Sequence, residues 1–407
     1  MSASSGLSRV LLYSHDTYGL GHLRRNLVIA AELLRGPGAP QVVLASGSPV
    51  LGRVPRPAGL VCVQLPPVVK TGDDEYRAVD PALSLTLVRR ARTAVLLDVV
   101  RRWTPDVFLV DHSPQGMKGE LLPVFAELPQ SSPRTRVVLG MRDILDEPAR
   151  VRAAWLAGGV YGTLEDVYDR ILVYGDRDVF DLADEYRIPA PTRQRLMYCG
   201  YVTGDRGQRT APPPGLPQGA DYVLGTIGGG GDGCEVLVAT ARAAVRAGTA
   251  AVLCTGPLMS SADLERVRAA TSGLPGVIVV DHLVEPAAVA AGASCVVTRG
   301  GYNSLCELVR SGVPTIVVPR AWPRREQVLR AAAFEARGLV RRVDESAPDL
   351  EGRLAAAVAE LRAVGPSPRA YLDLEGRRRV VSALLQVVGE PVLRTGAQEV
   401  EPAMVSA

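Results

Sequence analysis

The feature that most constrains this chain is an alternation that runs its course and then begins again. "SRVLLYSH", "QVVLAS", "LVCVQLP", "PDVFLVDH", "TRVVLGMRD", "RILVYGD" and "RLMYCGY" read as short apolar strands. Between them lie helical patterns such as "LRRNLVIAAELLRG" and residues 82–103. Runs that are apolar on both faces, separated by helices, predict a parallel sheet covered on both sides. From Thr203 to Asp221 the pattern stops in "TGDRGQRTAPPPGLPQGAD", rich in Pro and Gly and almost without apolar residues, which reads as a linker. It then restarts with "YVLGTIGGGGDG", "AAVLCTG", "GVIVVDHL", "SCVVTRGG" and "PTIVVPR". The expected architecture is α/β, with two doubly wound parallel-sheet domains facing across a cleft. The expected bounds are 1–205, a linker at 206–220, 221–390, and a tail at 391–407. Ligands of such sheets lie beyond the carboxyl ends of the strands.

Composition removes several function classes. A length of 407 residues suits two domains, each able to bury its own core. The net charge of +3 gives no reason to expect a nucleic-acid partner. Six cysteines without a CxxC pair, mostly in apolar runs, read as buried reduced thiols and predict a reducing cytoplasm. The four histidines form no zinc pattern, so no metal site is expected. "MSASSGLSRV" has neither the charged nor the apolar region of a signal peptide. No apolar run reaches the roughly 18 residues of a membrane span.

Three loops carry the chemistry. "YSHDTYGLGHLRRN" brings Gly19, Gly21 and His22 to the start of a helix, and "GTIGGGGDG" does the same with Gly228, Gly229 and Gly230. Glycines there let backbone amides approach a ligand, and a helix N-terminus favours an anion. Neither loop is a P-loop, and the first lacks the third glycine of a dinucleotide fingerprint. Each could also be a tight turn holding nothing. The third loop lies in "CVVTRGGYNSLCELVRSGVPTIVVP". Gly300 and Gly301 make the turn, Asn303 or Ser304 caps the helix, and Arg299 adds a positive charge at the mouth, a set suited to a diphosphate. Glu307 lies three residues past Ser304, on the same helix face. It either accepts from paired ribose hydroxyls or closes a Ser304-x-x-Glu307 capping box.

"TRGGYNSLCELVRSGVP" resembles the nucleotide-diphosphate signature of two-domain glycosyltransferases of the GT-B fold, built from Rossmann-like halves. Arg299, Asn303, Ser304 and Glu307 fall on that signature's places. "PRAWPRREQ" resembles the segment that holds sugar hydroxyls and places Glu326 and Gln327 there. "GLGH" resembles the glycine-rich loop of the family 28-like branch, which places His22. "VVDHLVEPAAVAAGASCVV" resembles the segment enclosing the base and sets backbone groups near His282 and Leu283 against it. That branch includes the N-acetylglucosamine transferase of peptidoglycan lipid-intermediate synthesis and predicted bacterial glycosyltransferases. The N-terminal half shows no obvious match to the peptidoglycan enzyme, so that pathway is not implied. The resemblance implies an inverting, metal-independent transferase without a resident cofactor. Its donor would be a UDP-sugar such as UDP-N-acetylglucosamine, and its acceptor a small-molecule, glycan or lipid-linked hydroxyl. The alternatives are a UDP-sugar 2-epimerase of the same fold and a non-catalytic nucleotide-sugar-binding partner subunit.

Such a transfer needs a base. His22 leads, and its rivals are Asp111, His112, Asp16 and Asp143, all placed after N-terminal strands. His112 beside Asp111 could be a base with its orienter, although adjacent strand residues point to opposite faces. Arg142 either binds an anionic acceptor or makes a surface ion pair. The helix at 82–103, with Arg89, Arg90, Arg92, Arg101 and Arg102 beside a run of Leu and Val, either contacts an anionic membrane from the inner face or is an ordinary core-facing helix with a solvated basic face.

Overall fold

The computed structural model describes residues 6–15, 21–72, 75–205, 215–216, 219–229, 231–281, 283, 286–364 and 372–390. The N-terminal half contains β1 (Arg9–Ser14), α1 (Gly21–Leu33), β2 (Gln41–Ser46), β3 (Leu60–Gln64), β4 (Val68–Gly72), β5 (Glu75–Ala78), α2 (Leu85–Trp103) and β6 (Val107–Asp111). It continues through α3 (Leu122–Ser131), β7 (Arg136–Arg142), α4 (Pro148–Ala157), α5 (Val160–Asp166), β8 (Arg170–Tyr174), α6 (Leu182–Glu185), α7 (Ala190–Arg193) and β9 (Leu196–Tyr198). The C-terminal half opens with β10 (Tyr222–Thr226), α8 (Cys234–Arg246), β11 (Ala250–Cys254), α9 (Ser261–Thr271), β12 (Val277–Val280), α10 (Pro286–Gly292) and β13 (Cys295–Thr298). It ends with α11 (Tyr302–Ser311), β14 (Thr315–Val317), α12 (Glu326–Glu335), β15 (Arg341–Arg342), α13 (Leu350–Val364) and α14 (Gly376–Gly389).

The two main sheets run β3-β2-β1-β6-β7-β8-β9 and β12-β11-β10-β13-β14-β15. Every pairing within them is parallel, as the apolar strand pattern predicts. Side chains alternate across β1: Val10 and Leu12 enter one core, and Leu11 and Tyr13 enter another on the opposite face. The strand order reverses between β1 and β6, and again between β10 and β13. Each reversal opens a crevice at the carboxyl ends of the strands. The loops singled out in the sequence leave from those ends.

Three expectations need amendment. First, β4 and β5 form a separate antiparallel hairpin that the strand pattern did not reveal. Second, the C-terminal unit was expected to run to residue 390, yet α14 packs on α1, β7 and β8 of the N-terminal half. Its Val380, Ala383, Leu384 and Val387 join a core that also holds Leu12 and Leu23 of one half and Tyr302 and Phe334 of the other. The apolar core therefore continues across the cleft. Third, α2 is a core-facing helix, but Arg92 does not belong to its basic face. Val88, Arg92, Leu96 and Val100 recur every four residues and form its buried stripe. Of the expected linker, 206–214 and 217–218 lie outside the described residues, as does the tail 391–407. Among the described residues no helix is long and apolar enough to cross a membrane.

Arg92 survives in that stripe because Glu120 meets it with two bonds, at 2.6 and 2.8 Å, and the Pro66 carbonyl takes a third at 3.0 Å. Tyr13 donates its hydroxyl to the same carboxylate at 2.5 Å. Removing one partner of a buried pair strands the other charge. Glu120→Ala is expected to lower stability by about 3–5 kcal/mol in denaturant unfolding. A loss below about 1 kcal/mol would show that Arg92 finds water instead.

Candidate functional site at the interdomain cleft

His22 is the second residue of α1, which brings its ring over the carboxyl ends of β1 and β6. Its Nδ1 lies 2.6 Å from Asp111 Oδ2. Asp111 is fully buried, and Arg25, one helical turn after His22, grips it through Nε at 2.9 Å and Nη2 at 2.7 and 2.8 Å. Burial would raise the Asp111 carboxyl, but Arg25, helped by His22, outweighs it and keeps the group below its ordinary value and ionised. A contact of 2.6 Å to an ionised carboxylate needs a proton on Nδ1, so Nδ1–H donates and Nε2 keeps its lone pair. Arg25 Nη2, 3.0 Å from the same Nδ1, then makes no second bond to it and serves Asp111. Burial lowers the affinity of His22 for a proton, Asp111 raises it, and Arg25 and Arg142 lower it again. The net direction is down, so His22 stays neutral.

Asp111 is thus the orienter of His22, although His22 comes 89 residues earlier and His112 is its chain neighbour. His112 turns away with a φ of 68°, and its N–H donates to Gly140 O at 2.7 Å. Its ring centroid sits 4.7 Å from that of His22, and burial and Arg142 push its proton affinity well down. Asp143 is removed from the candidate bases. It is fully buried, accepts from Tyr201 Oη at 2.7 Å, and pairs with Arg330 at 3.3 Å. Asp16 lies outside the described residues.

His15, which the sequence reading passed over, completes the floor, 5.9 Å from the His22 ring and 6.1 Å from His112. Tyr13 has given its only hydroxyl proton to Glu120, so His15 Nδ1, 3.4 Å away, is the donor of that pair. Arg142 is not the surface ion pair offered as one alternative. Its side chain is part-buried, it makes no ion pair among the described residues, and its Nε is buried without a partner.

Across the cleft stands the N-terminus of α11. Its cap is Gly301, with no side-chain capping bond, so Ser304 sits inside the first turn and the expected capping box does not form. Gly300 takes a φ of 82° with Val317 2.6 Å from where a Cβ would be, so both backbone and space call for glycine. Beside Gly301 nothing lies within 4 Å. The N-termini of α1 and α11 meet through Asn303, whose Nδ2 donates to Gly21 O at 2.7 Å while its Oδ1 is left unpartnered. Two helix N-termini converging on one gap favour an anion there.

Glu307 points neither to its own cap nor to open solvent. It accepts from Arg24 Nη2 at 2.9 and 3.0 Å, linking the two halves. Arg299 is not free at the mouth. It is 6% exposed and pairs with Glu345 at 2.7 Å, with Asp232 of the glycine loop at 4.0 Å. In that loop Gly228 and Gly229 lie against the backbone of Gly256, where a Cβ would meet Gly228 O at 2.4 Å, and Leu258 N donates to Gly229 O at 2.8 Å. Gly230 and His282 lie outside the described residues, and Leu283 packs its side chain on a small core of the C-terminal half. Glu326 is buried with Oε2 unpartnered, and Gln327 Oε1 accepts from Arg320 N at 3.0 Å.

The sequence reading missed Arg24, Arg25, His15 and Arg330. The two adjacent arginines after "GLGH" were the available signal. Arg330 had none, since its partner Asp143 is 187 residues away.

The family model of the glycosyltransferase family 28 C-terminal domain matches residues 227–371. No curated protein matches the chain. Among solved structures, the glycotransferase of kitacinnamycin is similar over 94% of this chain and 95% of its own, at 20% identity and a TM-score of 0.59. LpCGTa, solved in complex with UDP, is similar over 95% and 100%, at 14% identity and a TM-score of 0.60. Phytolacca americana UGT2, complexed with UDP-2fluoro-glucose and pterostilbene, is similar over 94% and 100%, at 14% identity and a TM-score of 0.58. The chain therefore has the GT-B fold, and its C-terminal half carries a glycosyltransferase domain of the family 28 C-terminal type.

Proposed function

We propose that the protein is an inverting, metal-independent glycosyltransferase that moves a sugar from a UDP-sugar donor to an acceptor hydroxyl. The observation that carries this is the His22–Asp111 pair, facing the uncapped N-terminus of α11 across the gap. His22 Nε2 takes the acceptor proton as the acceptor oxygen bonds to the anomeric carbon. The bond from that carbon to the diphosphate oxygen breaks on the opposite face, which inverts the centre. The departing charge is met by the first-turn amides of α11 and α1 and by the loop at 228–229, with Arg299 in range once it exchanges Glu345 for phosphate. Asn303 Oδ1 and Glu307 are suited to ribose hydroxyls, and the buried Glu326 Oε2 to a sugar hydroxyl. UDP is the favoured carrier because LpCGTa and the Phytolacca enzyme of the same fold were solved with UDP or a UDP-sugar. N-acetylglucosamine follows from the family 28-like motifs.

His22→Ala is expected to lower kcat by about 10²–10⁴-fold while UDP binds as before. Unchanged turnover would remove His22 as the base. The chemistry needs neutral His22, whose proton affinity is lowered from the ordinary 6.5, so activity persists below that pH and falls only as pH drops through the lowered value. An acid limb centred above 6.5 would contradict a neutral His22. In thermal-shift screening, UDP is expected to stabilise the protein more than GDP or dTDP, and turnover to survive EDTA. Stronger stabilisation by GDP or dTDP overturns the donor assignment. Epimerisation of UDP-N-acetylglucosamine without an acceptor overturns the transfer itself.

A further inference from the structure

We propose that Arg142 is the anchor for an anionic group of the acceptor, a carboxylate or a phosphate, held beside the hydroxyl that His22 deprotonates. This rests on the transferase reading above. Each other arginine of the cleft has its acid. Arg24 pairs with Glu307, Arg25 with Asp111, Arg299 with Glu345, Arg320 with Asp232, and Arg330 with Asp143. Arg142 has none among the described residues, and its Nε is buried without a partner. A buried polar nitrogen left unpaired is costly, and a native structure that keeps one beside an unpaired charge has a use for it.

Its surroundings define what fits. Arg142 ends β7, the strand beside β6, and Asp111 of β6 pairs in register with Gly140. His112, fixed to Gly140 O at 2.7 Å, has its Nδ1 buried and unpartnered as well. The His112 ring lies 4.7 Å from that of His22, and the Arg142 charge acts on both rings. Burial first, and then the charges of Arg25 and Arg330, lower the Arg142 pKa to about 10, while Glu326 and Asp111 favour its charge without pairing with it. A ligand hydroxyl would satisfy one nitrogen and leave the charge. An anion meets the charge and accepts from both nitrogens when His112 carries its proton on Nδ1, and the planar fork suits a carboxylate or phosphate. The donor diphosphate is the other possible source of that chemistry. Its candidate contacts belong to the opposite face, at α11 and the 228–229 loop, whereas Arg142 belongs to the N-terminal sheet with the proposed base.

The test uses full-length protein with isotope-labelled histidine, titrated with inorganic phosphate and separately with acetate, with UDP saturating so that the donor site is filled. Saturable movement of the His112 ring resonance in the native protein, weakened about tenfold or more in Arg142→Gln, is the expected result. Arg142→Lys, which keeps the charge but not the fork, is expected to fall between the two. UDP affinity should stay within about twofold in both variants. Three results overturn the proposal: no response to either anion, equal anion binding in Arg142→Gln, or a parallel loss of UDP, which would assign Arg142 to the donor. If the native protein does not bind UDP at all, the donor reading fails. The same anion titration without UDP then still decides whether Arg142 holds an anion.

Discussion

One carboxylate sets the terms for the whole cleft. Asp111, sealed at the end of β6, would be expensive to bury alone, and Arg25 makes it tolerable with three contacts. Once ionised there, it fixes the ring of His22 and decides which nitrogen carries the proton. The same Arg25 lies 5.4 Å from the ring centre of Tyr174 and 5.5 Å from that of Tyr302, so the charge that holds Asp111 also touches the C-terminal half. Acid–base character and domain contact are thus coupled through one guanidinium.

The contacts that close the cleft are not of equal weight. Arg330 and Asp143 are both fully buried, and Arg330 also donates to Ile144 O at 3.0 Å. Breaking such a pair costs about 3–5 kcal/mol. Arg24 and Glu307 are 41% and 23% exposed, and a pair of that kind contributes about 1 kcal/mol or less. Arg325 and Glu147, at 2.6 Å and half exposed, belong with the weaker class. The closed arrangement is therefore anchored by Arg330 and only trimmed by Arg24. A ligand that displaced Arg24 from Glu307 would give up little, so the acid is occupied without being locked.

Much of this was legible in the sequence, for a physical reason. Buried parallel strands are apolar on both faces, so "PDVFLVDH" and "SCVVTRGG" stand out without any knowledge of their neighbours. The loops at their ends followed from chain order. What stayed hidden depends on distant partners. The buried stripe of α2 has the right spacing, but that Arg92 belongs inside depends on Glu120, which only the fold brings to it. Glu307 offered two readings along the chain, and its partner Arg24 is 283 residues away. Asp111 and His112 suggested a pair by adjacency, and the fold gave Asp111 to His22. The hairpin of β4 and β5 escaped because "VVKTG" and "EYRA" are short and mixed in polarity.

The return of α14 to the N-terminal half has a consequence for the order in which that half is completed. Tyr201 N donates to Asp373 O at 2.7 Å, and Gly376 N donates back to Tyr201 O at 3.1 Å. The C-terminal half is thereby inserted between two segments fastened to each other. The core begun by Leu12 and Leu23 is finished only by Val380, Ala383, Leu384 and Val387, more than 350 residues later in the chain.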